Sequence, residues 1–498
     1  MTQSPVPDIA IDAALDRADG AYLHQQSIRL VIALRNQGGQ PRSIPYLVAH
    51  SIAFDLRDAG GQARRAVRAF KAPPPLMNMP EPEVDLQPGE AVSYRLLLEP
   101  VLGPIAPGSY GLRLLVEAGP LPFTTPWLPF TVAPSHPAAP ATAPSAVGEA
   151  FEERTAWRDD GVRPPQILLR TRATVGRGLP PETRPLGEAD AASEPAVASS
   201  PGEASRIPAW VAWVAGGNLV LARQYVEEIT LHRHPLPAGR FQAVNPFGFS
   251  EQPDGSETRL QGVLLDGETG RLVAFSGDGP QVAFSAPTTP GAHRIDRITS
   301  AVIDRDRIGA VVTRVVGDRT QFEGWVFKGA EAPAGPVALG ALDGGIAGVA
   351  AAYEFHEQDG SGRVHWSGWE SPGRTTSVRV VEGVWNLGDG VTARSAAPRV
   401  RNVPIDPGTA RCDGALDLHR RLWLLSSGGG SAKVFGPDFE DGVPITLRPG
   451  GVFETLIFRR GVMPQVMALD PVRGFDATPV DLEGPPPPEP PDVPEDDE

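Results

Sequence analysis

Cysteine is all but missing. Cys412 stands alone, which excludes an internal disulfide framework and a cysteine-rich zinc site. Lysine is nearly as scarce, at Lys71, Lys328 and Lys433, so almost all of the 45 basic residues are arginine. With so much Ala, Gly and Pro alongside, that bias reads as genomic base composition and not as phosphate recognition. No stretch approaches the roughly 18 apolar residues of a membrane-spanning helix. The start, Met1 to Asp8, has neither a basic n-region nor an apolar core. No cleaved secretory signal is therefore expected, and the expected location is cytoplasmic, with signal-independent export left open. Catalytic signatures are missing too: no G-x-S-x-G elbow, no Walker loop, no H-E-x-x-H and no G-x-G-x-x-G after a strand. The net charge of −15 argues against nucleic acid as the main partner. Eight of the carboxylates lie in Asp481–Glu498, and without them the rest of the chain carries an ordinary −7.

What is abundant is glycine and proline, 55 of each among 498 residues, close to twice the roughly 12% of average usage. That excess disfavours a helical bundle and favours an all-β protein, in about three domains by length. Residues 1–134 read as a β-sandwich. Ile28, Leu30, Ile32 and Leu34 alternate onto one face and end at the turn cluster Asn36–Gly39. Ile52, Phe54 and Leu56 repeat the pattern and end at Asp58–Gly61. Leu86–Glu90 then turns into a strand over 91–98, and Ala106–Tyr110 leads into another over 111–117. A last strand, Trp127–Val132, leaves the unit.

This order of strands and turns, with its Leu-x-Pro-Gly-Glu and Pro-Gly-x-Tyr motifs, resembles bacterial immunoglobulin-like domains of the intracellular proteinase-inhibitor and fibronectin-III-like types. The resemblance covers about a quarter of the chain and implies an immunoglobulin-like sandwich. It also implies that Tyr110 is a corner residue bonded to backbone. The Pro-rich excursion Phe70–Pro82 reads as a surface connection packed by Leu76, Met77 and Met79, with a binding loop as the other reading.

Residues 135–206 read as a Pro/Ala-rich linker. Within it Gln166–Val175 is a credible strand, expected to dock on a neighbouring sheet because left unpaired it would invite aggregation. Residues 207–483 form a run of short strands and glycine turns with a weak repeat near 46 residues, close to the ~40–50 of propeller blades. The expected fold is a divergent β-propeller of about six blades, with five or seven left open and a large two-sheet sandwich as the rival. Gly324-Trp325-Val326 and Gly368-Trp369-Glu370 read as equivalent positions in adjacent blades. Residues 484–498 read as a disordered, acidic, Pro-rich tail able to dock in an aromatic groove or on a basic partner.

The chemistry is thin. His232 and His234 share one face of a strand and would make half a zinc site; exposed strand-end histidines are the simpler reading. His356 with Glu354 and Glu357, and His365 beside Trp366, are acid–base candidates of the same weight. Asp304 and Asp306 begin a calcium-type spacing that Arg305, Arg307 and Ile308 interrupt. Gly428–Gly430 is a turn, and the aspartates of the Asp-Gly pairs suit turns as well. Trp325, Tyr353, Arg363, Trp366 and Trp369 offer a candidate binding surface with stacking rings, core or blade packing of the tryptophans being the simpler reading. With Glu370 they resemble the Arg/Glu/Trp sets of fucose-binding propeller lectins, although the set does not recur blade by blade.

No cofactor and no metal is expected. The leading expectation is a non-catalytic binding or scaffold protein whose sandwich loops and propeller face engage another protein. The alternatives are a propeller hydrolase or lactonase with a central metal, drawing on Asn218, Asn245, Asn386 and Asn402, and a carbohydrate-binding propeller.

Overall fold

A computed structural model of the chain describes residues 2–3, 8–45, 52–68, 83–116, 123–147, 150–173, 182–199, 209–225, 228–251, 258–289, 295–304, 306–356, 361–372, 376–387, 397–417, 419–428, 431–437, 439–446, 452–459, 463–470, 474–480 and 482. Every regular element among them is a strand except Glu99–Leu102, a single helical turn. Contacts divide the chain into two units. The first is Met1–Ala141 with Ala150–Pro195 and Val472–Gly474; the second is Thr142–Glu149 with Ala196–Pro471 and Phe475–Glu498.

In the first unit the alternating residues do what period-two spacing requires. Ile28, Leu30, Ile32 and Leu34 are buried, and the strand Arg29–Asn36 lies in a sheet ordered Thr2–Gln3, Ile9–Leu15, Arg29–Asn36, Ala91–Leu97. A second sheet is ordered Ala21–Leu23, Leu128–Ala133, Gly108–Val116, Ile52–Asp58, Ala63–Arg68, with Phe123–Thr124 also pairing with Gly108–Val116. Phe54, Leu56, Leu112, Leu114 and Phe130 of this sheet meet Ile11, Leu30, Ile32 and Leu34 of the first in one core. The result is a two-layer β-sandwich. The turn at Asn36 is built by its amide: Nδ2 donates to the Leu86 carbonyl at 3.0 Å, and Oδ1 accepts from Gly38 N at 2.9 Å. Tyr110 Oη donates to the Ala106 carbonyl at 2.8 Å, and its ring stacks on Phe130 at 5.4 Å. That is the backbone bond the resemblance implies for this tyrosine.

The segment read as a linker is different in the structure. Residues 137–188 hold a four-stranded antiparallel sheet ordered Pro137–Val147, Ala150–Asp159, Gln166–Ala173, Glu182–Glu188. Gln166–Ala173, expected to dock on a neighbouring sheet, is an inner strand of this one. Average composition hid it because the apolar residues are few but well placed: Trp157, Ile167, Leu168, Leu169 and Leu186 are all buried. Pro137, Pro140 and Pro144 lie on an edge strand of the sheet, the position at which proline is tolerated. Within the first unit this sheet is stitched to the sandwich at Thr183. Its carbonyl accepts from Ser27 N at 2.9 Å, and its own N–H donates to Ser27 Oγ at 2.9 Å. Arg29 pairs with Glu182 beside that seam.

Among the described residues the second unit carries six successive antiparallel sheets, each running in chain order. Their first strands are Ala196–Ser199, Phe241–Glu251, Ile295–Val302, Ile346–His356, Arg411–Leu416 and Val452–Arg459. Each of these strands neighbours the first strand of the next sheet, so the sheets meet along their first strands and splay outward. The first five sheets have four strands and the sixth has three. The first strand of the series, Ala196–Ser199, falls in what reads from sequence as linker.

Both faces of each inner sheet are covered by its neighbours, which explains the long apolar runs. In Arg307–Val316, Ile308, Ala310 and Val312 pack toward the second sheet, whereas Val311 packs toward the fourth. The tryptophans fill these seams. Trp325 lies between the second and third sheets, Trp366 and Trp385 between the third and fourth, Trp369 between the fourth and fifth, and Trp423 between the fifth and sixth. Small residues make room for them: a Cβ on Gly383 would stand 2.6 Å from the Trp366 ring, and one on Gly348 would stand 2.2 Å from that of Trp369. The two Gly-Trp motifs are not equivalent positions. Trp325 is on the third strand of its sheet, Arg319–Lys328, and Trp369 on the second strand of its own, Ser361–Glu370.

Candidate functional site: the hairpin ends of three neighbouring sheets

The sequence-derived cluster splits in two. Trp325, Trp366 and Trp369 are 4, 1 and 2% exposed, so their rings serve packing and present no stacking surface. Tyr353 and Arg363, both half-buried, come together near the end of the fourth sheet. Period-two geometry sends them to opposite faces, Tyr353 toward the third sheet and Arg363, with Glu354 and His365, toward the fifth.

The neighbouring sheets supply the rest. In the third, Asp304 closes the first hairpin as an Asx turn, its Oδ1 accepting from Asp306 N at 2.9 Å and Arg307 N at 2.8 Å, with Arg307 Nε on Oδ2 at 2.5 Å. These bonds account for the aspartate pair without a cation. Burial pushes the Tyr353 hydroxyl pKa upward, with Arg307 lowering it and Asp304 raising it. In the fifth, Asp417 holds the corresponding hairpin. Its carboxylate accepts from Arg421 N and Nε, each at 2.9 Å, and from Trp423 Nε1 at 3.1 Å. Burial alone would raise Asp417; those bonds outweigh it and keep the pKa below the usual value. The turn places Arg420 at φ +64°, a strained conformation for a side-chain-bearing residue, and its Nε donates to the Tyr353 carbonyl at 2.9 Å.

At the centre Glu354 Oε2 meets His365 Nε2 at 2.8 Å. That hydrogen bond, helped by the charges of Arg420 and Arg363, holds the Glu354 carboxyl below its ordinary value. Phe355, next in sequence, is 57% exposed. Phe355 falls on the Tyr353 side of its strand, with Arg307 of the third sheet, while the carboxylate–imidazole pair, Arg363 and Arg420 lie on the other side; both groups sit at the hairpin end of the fourth sheet. Arginine and aromatic side chains of this kind dominate the binding energy of protein interfaces. Sequence reading singled out Tyr353, Arg363 and the two acid–base candidates, but missed Phe355, Arg307 and Arg420. An exposed phenylalanine at a strand end is visible only once the strand's partners are known.

The other candidates separate. His232 and His234 do share a face, with His234 Nε2 at 2.8 Å from the Gly279 carbonyl and His232 beside the Trp210 ring. Burial first, then His234 and Arg223, lowers the His232 pKa. Among the described residues no group of three or more His, Cys, Asp or Glu could hold a metal. The asparagines do not converge. Asn218 Nδ2 donates to the Gly216 carbonyl at 2.9 Å within its turn, while Asn386 and Asn402 sit on the third and fourth strands of their sheet. Asn245 lies on a first strand, with its side chain outside the described residues, as are the side chain of His356, Glu357, the Phe70–Pro82 excursion and the 484–498 tail.

No protein-family model matches the sequence, and no curated protein matches it. Among solved structures, YCF48 from Cyanidioschyzon merolae is 15% identical, with a TM-score of 0.38 over 70% of this chain and 100% of that one. The Dos1 propeller is 11% identical, with a TM-score of 0.36 over 66% and 74%. The structural neighbours are β-propellers. Virginiamycin B lyase from Staphylococcus aureus is a third, 10% identical with a TM-score of 0.31 over 57% of this chain and 84% of that one. Among the described residues no helix is long and apolar enough to cross a membrane.

Proposed function

We propose that this chain is a non-catalytic binding or scaffold protein that joins an immunoglobulin-like sandwich, residues 1–134, to a β-propeller whose hairpin face engages another protein. The two-layer core and the Tyr110 corner bond support the sandwich reading, and six sheets meeting along their first strands support a six-bladed propeller. The observation that carries the function is the placement of Phe355. It stands exposed at the hairpin end of the fourth sheet, next in sequence to Glu354 of the Glu354–His365 pair, with arginines of three successive sheets acting on that end, while the tryptophans serve packing.

The test is a photo-crosslinking phenylalanine analogue placed at 355 in the full chain. Exposed to native lysate, it should give one dominant adduct, reduced at least tenfold by Arg363→Glu together with Arg420→Glu. A smear of products unaffected by those two changes, in a variant that keeps its β-type circular dichroism, would remove the hairpin face as the binding surface.

A further inference from the structure

A second site lies on the sandwich, on the outer face of the sheet containing Gly108–Val116. Alternation leaves Asp55, Arg57, Gly111, Arg113, Trp127 and Pro129 on this face, opposite the buried Phe54, Leu56, Leu112 and Phe130. Trp127 lies against Gly111, where an added Cβ would meet ring atom Cε3 at 3.3 Å. Two guanidinium groups stack on the indole, Arg57 at 4.4 Å and Arg113 at 4.7 Å from the ring centroid. Beside them opens a notch of about 450 Å³, lined by Arg57, Asp58, Tyr110, Gly111, Trp127 and Pro129 among others.

The charges on this face are unequally satisfied. Asp55, nearly buried, accepts from Arg113 at 2.6 Å and from Arg65 at 2.8 Å, so those two arginines share one carboxylate. The hydrogen bond from Arg65 and then that from Arg113 hold Asp55 below the usual carboxylate value against the opposing effect of burial. Arg57 has no carboxylate partner among the described residues. Asp58 at the rim is occupied in its turn, with Oδ1 accepting from Gln62 N at 2.9 Å. A guanidinium held against an aromatic plate, with its donors unspent, is preorganised for a carboxylate. The apolar walls, an indole and a proline, are the surface on which polyproline-type segments dock.

We propose that this notch binds an acidic, proline-containing peptide segment of a partner protein, with Arg57 taking the carboxylate and Trp127 the proline ring. The site is independent of the propeller face. The probes are fluorescein-labelled Pro-Pro-Glu-Pro-Pro and Pro-Pro-Gln-Pro-Pro, each titrated against the full chain at low salt by fluorescence anisotropy. The glutamate probe should bind at least tenfold more tightly than the glutamine probe, and the difference should shrink as salt rises. Arg57→Gln should abolish the discrimination, and Trp127→Ala should weaken both probes. Because Trp127→Ala also removes packing, Arg57→Gln, an exposed change, is the deciding variant. Equal binding of the two probes, no binding of either, or full discrimination by Arg57→Gln each overturns the proposal.

Discussion

Trp366→Ala should cost the second unit about 3–5 kcal/mol, the usual range for emptying a buried aromatic site. The ring fills the seam between the third and fourth sheets against Val311, Phe322, Val364 and Trp385, at 1% exposure, with its centroid 4.9 Å from that of Phe322. The strands around it cannot collapse into the space without breaking their ladders, so the cavity should persist. Denaturant unfolding should show the loss, and hydrogen exchange should show where it falls: amides of Ala310–Val312 and Val380–Val381 should lose protection while the sandwich keeps its own. Trp366→Phe gives the sharper comparison. The indole Nε1 has no hydrogen-bond partner among the described residues, so removing it strands nothing, and the loss should be a fraction of that for alanine. Equal losses for the two variants would contradict this packing.

The second large effect concerns Glu99, which opens the only helical turn among the described residues. Its Oε1 accepts from Ile28 N at 2.6 Å, next to the seam where Ser27 meets Thr183. Burial pushes its pKa up to about 7, the Ile28 and Glu99 amides oppose that, and the negative charges of Asp16 and Glu182 add to it. An acid with a raised native pKa holds its proton where the unfolded chain has released it. The contribution of Glu99 to the stability of the first unit should therefore be fully present below about pH 4.5, be lost as pH rises toward 7, and level off above. Glu99→Gln should flatten that slope and leave the variant more stable than the parent at pH 8 by about 2 kcal/mol. The full shift would give about 3 kcal/mol; the residue as a whole is only half-buried, which reduces it. Exchange of the Ile28 amide at pH 5 and pH 8 reads the effect locally. A variant no more stable than the parent at pH 8 would show that Glu99 is charged at little cost.

Much of the backbone plan was legible in the chain. Alternation at Ile28–Leu34 and Ile52–Leu56 fixed which residues face a core, because strand side chains change sides at every residue. Turn chemistry was legible at Asn36 and Asp58 for a related reason: the bonds that Gly38 N and Gln62 N make to their side chains lie within a few residues; the turn at Asp417, inside a segment that reads as a strand, was not. Local bonds leave local signatures. The sheet at 137–188 was not legible, since its apolar residues are sparse and become buried only when strands pair. The fate of the tryptophans was decided in the same way. An indole beside a glycine reads more simply as a packing piece than as a ligand platform, and the neighbouring sheet, which brings Phe322 to Trp366 and Leu424 to Trp369, is what decides it. The approach of Arg307 to Tyr353 and of Arg420 to Glu354 likewise exists only because successive sheets meet along their first strands. Period and turn residues write strands and faces into the sequence; which face meets which is a property of the folded chain, because it depends on pairs that no short window contains.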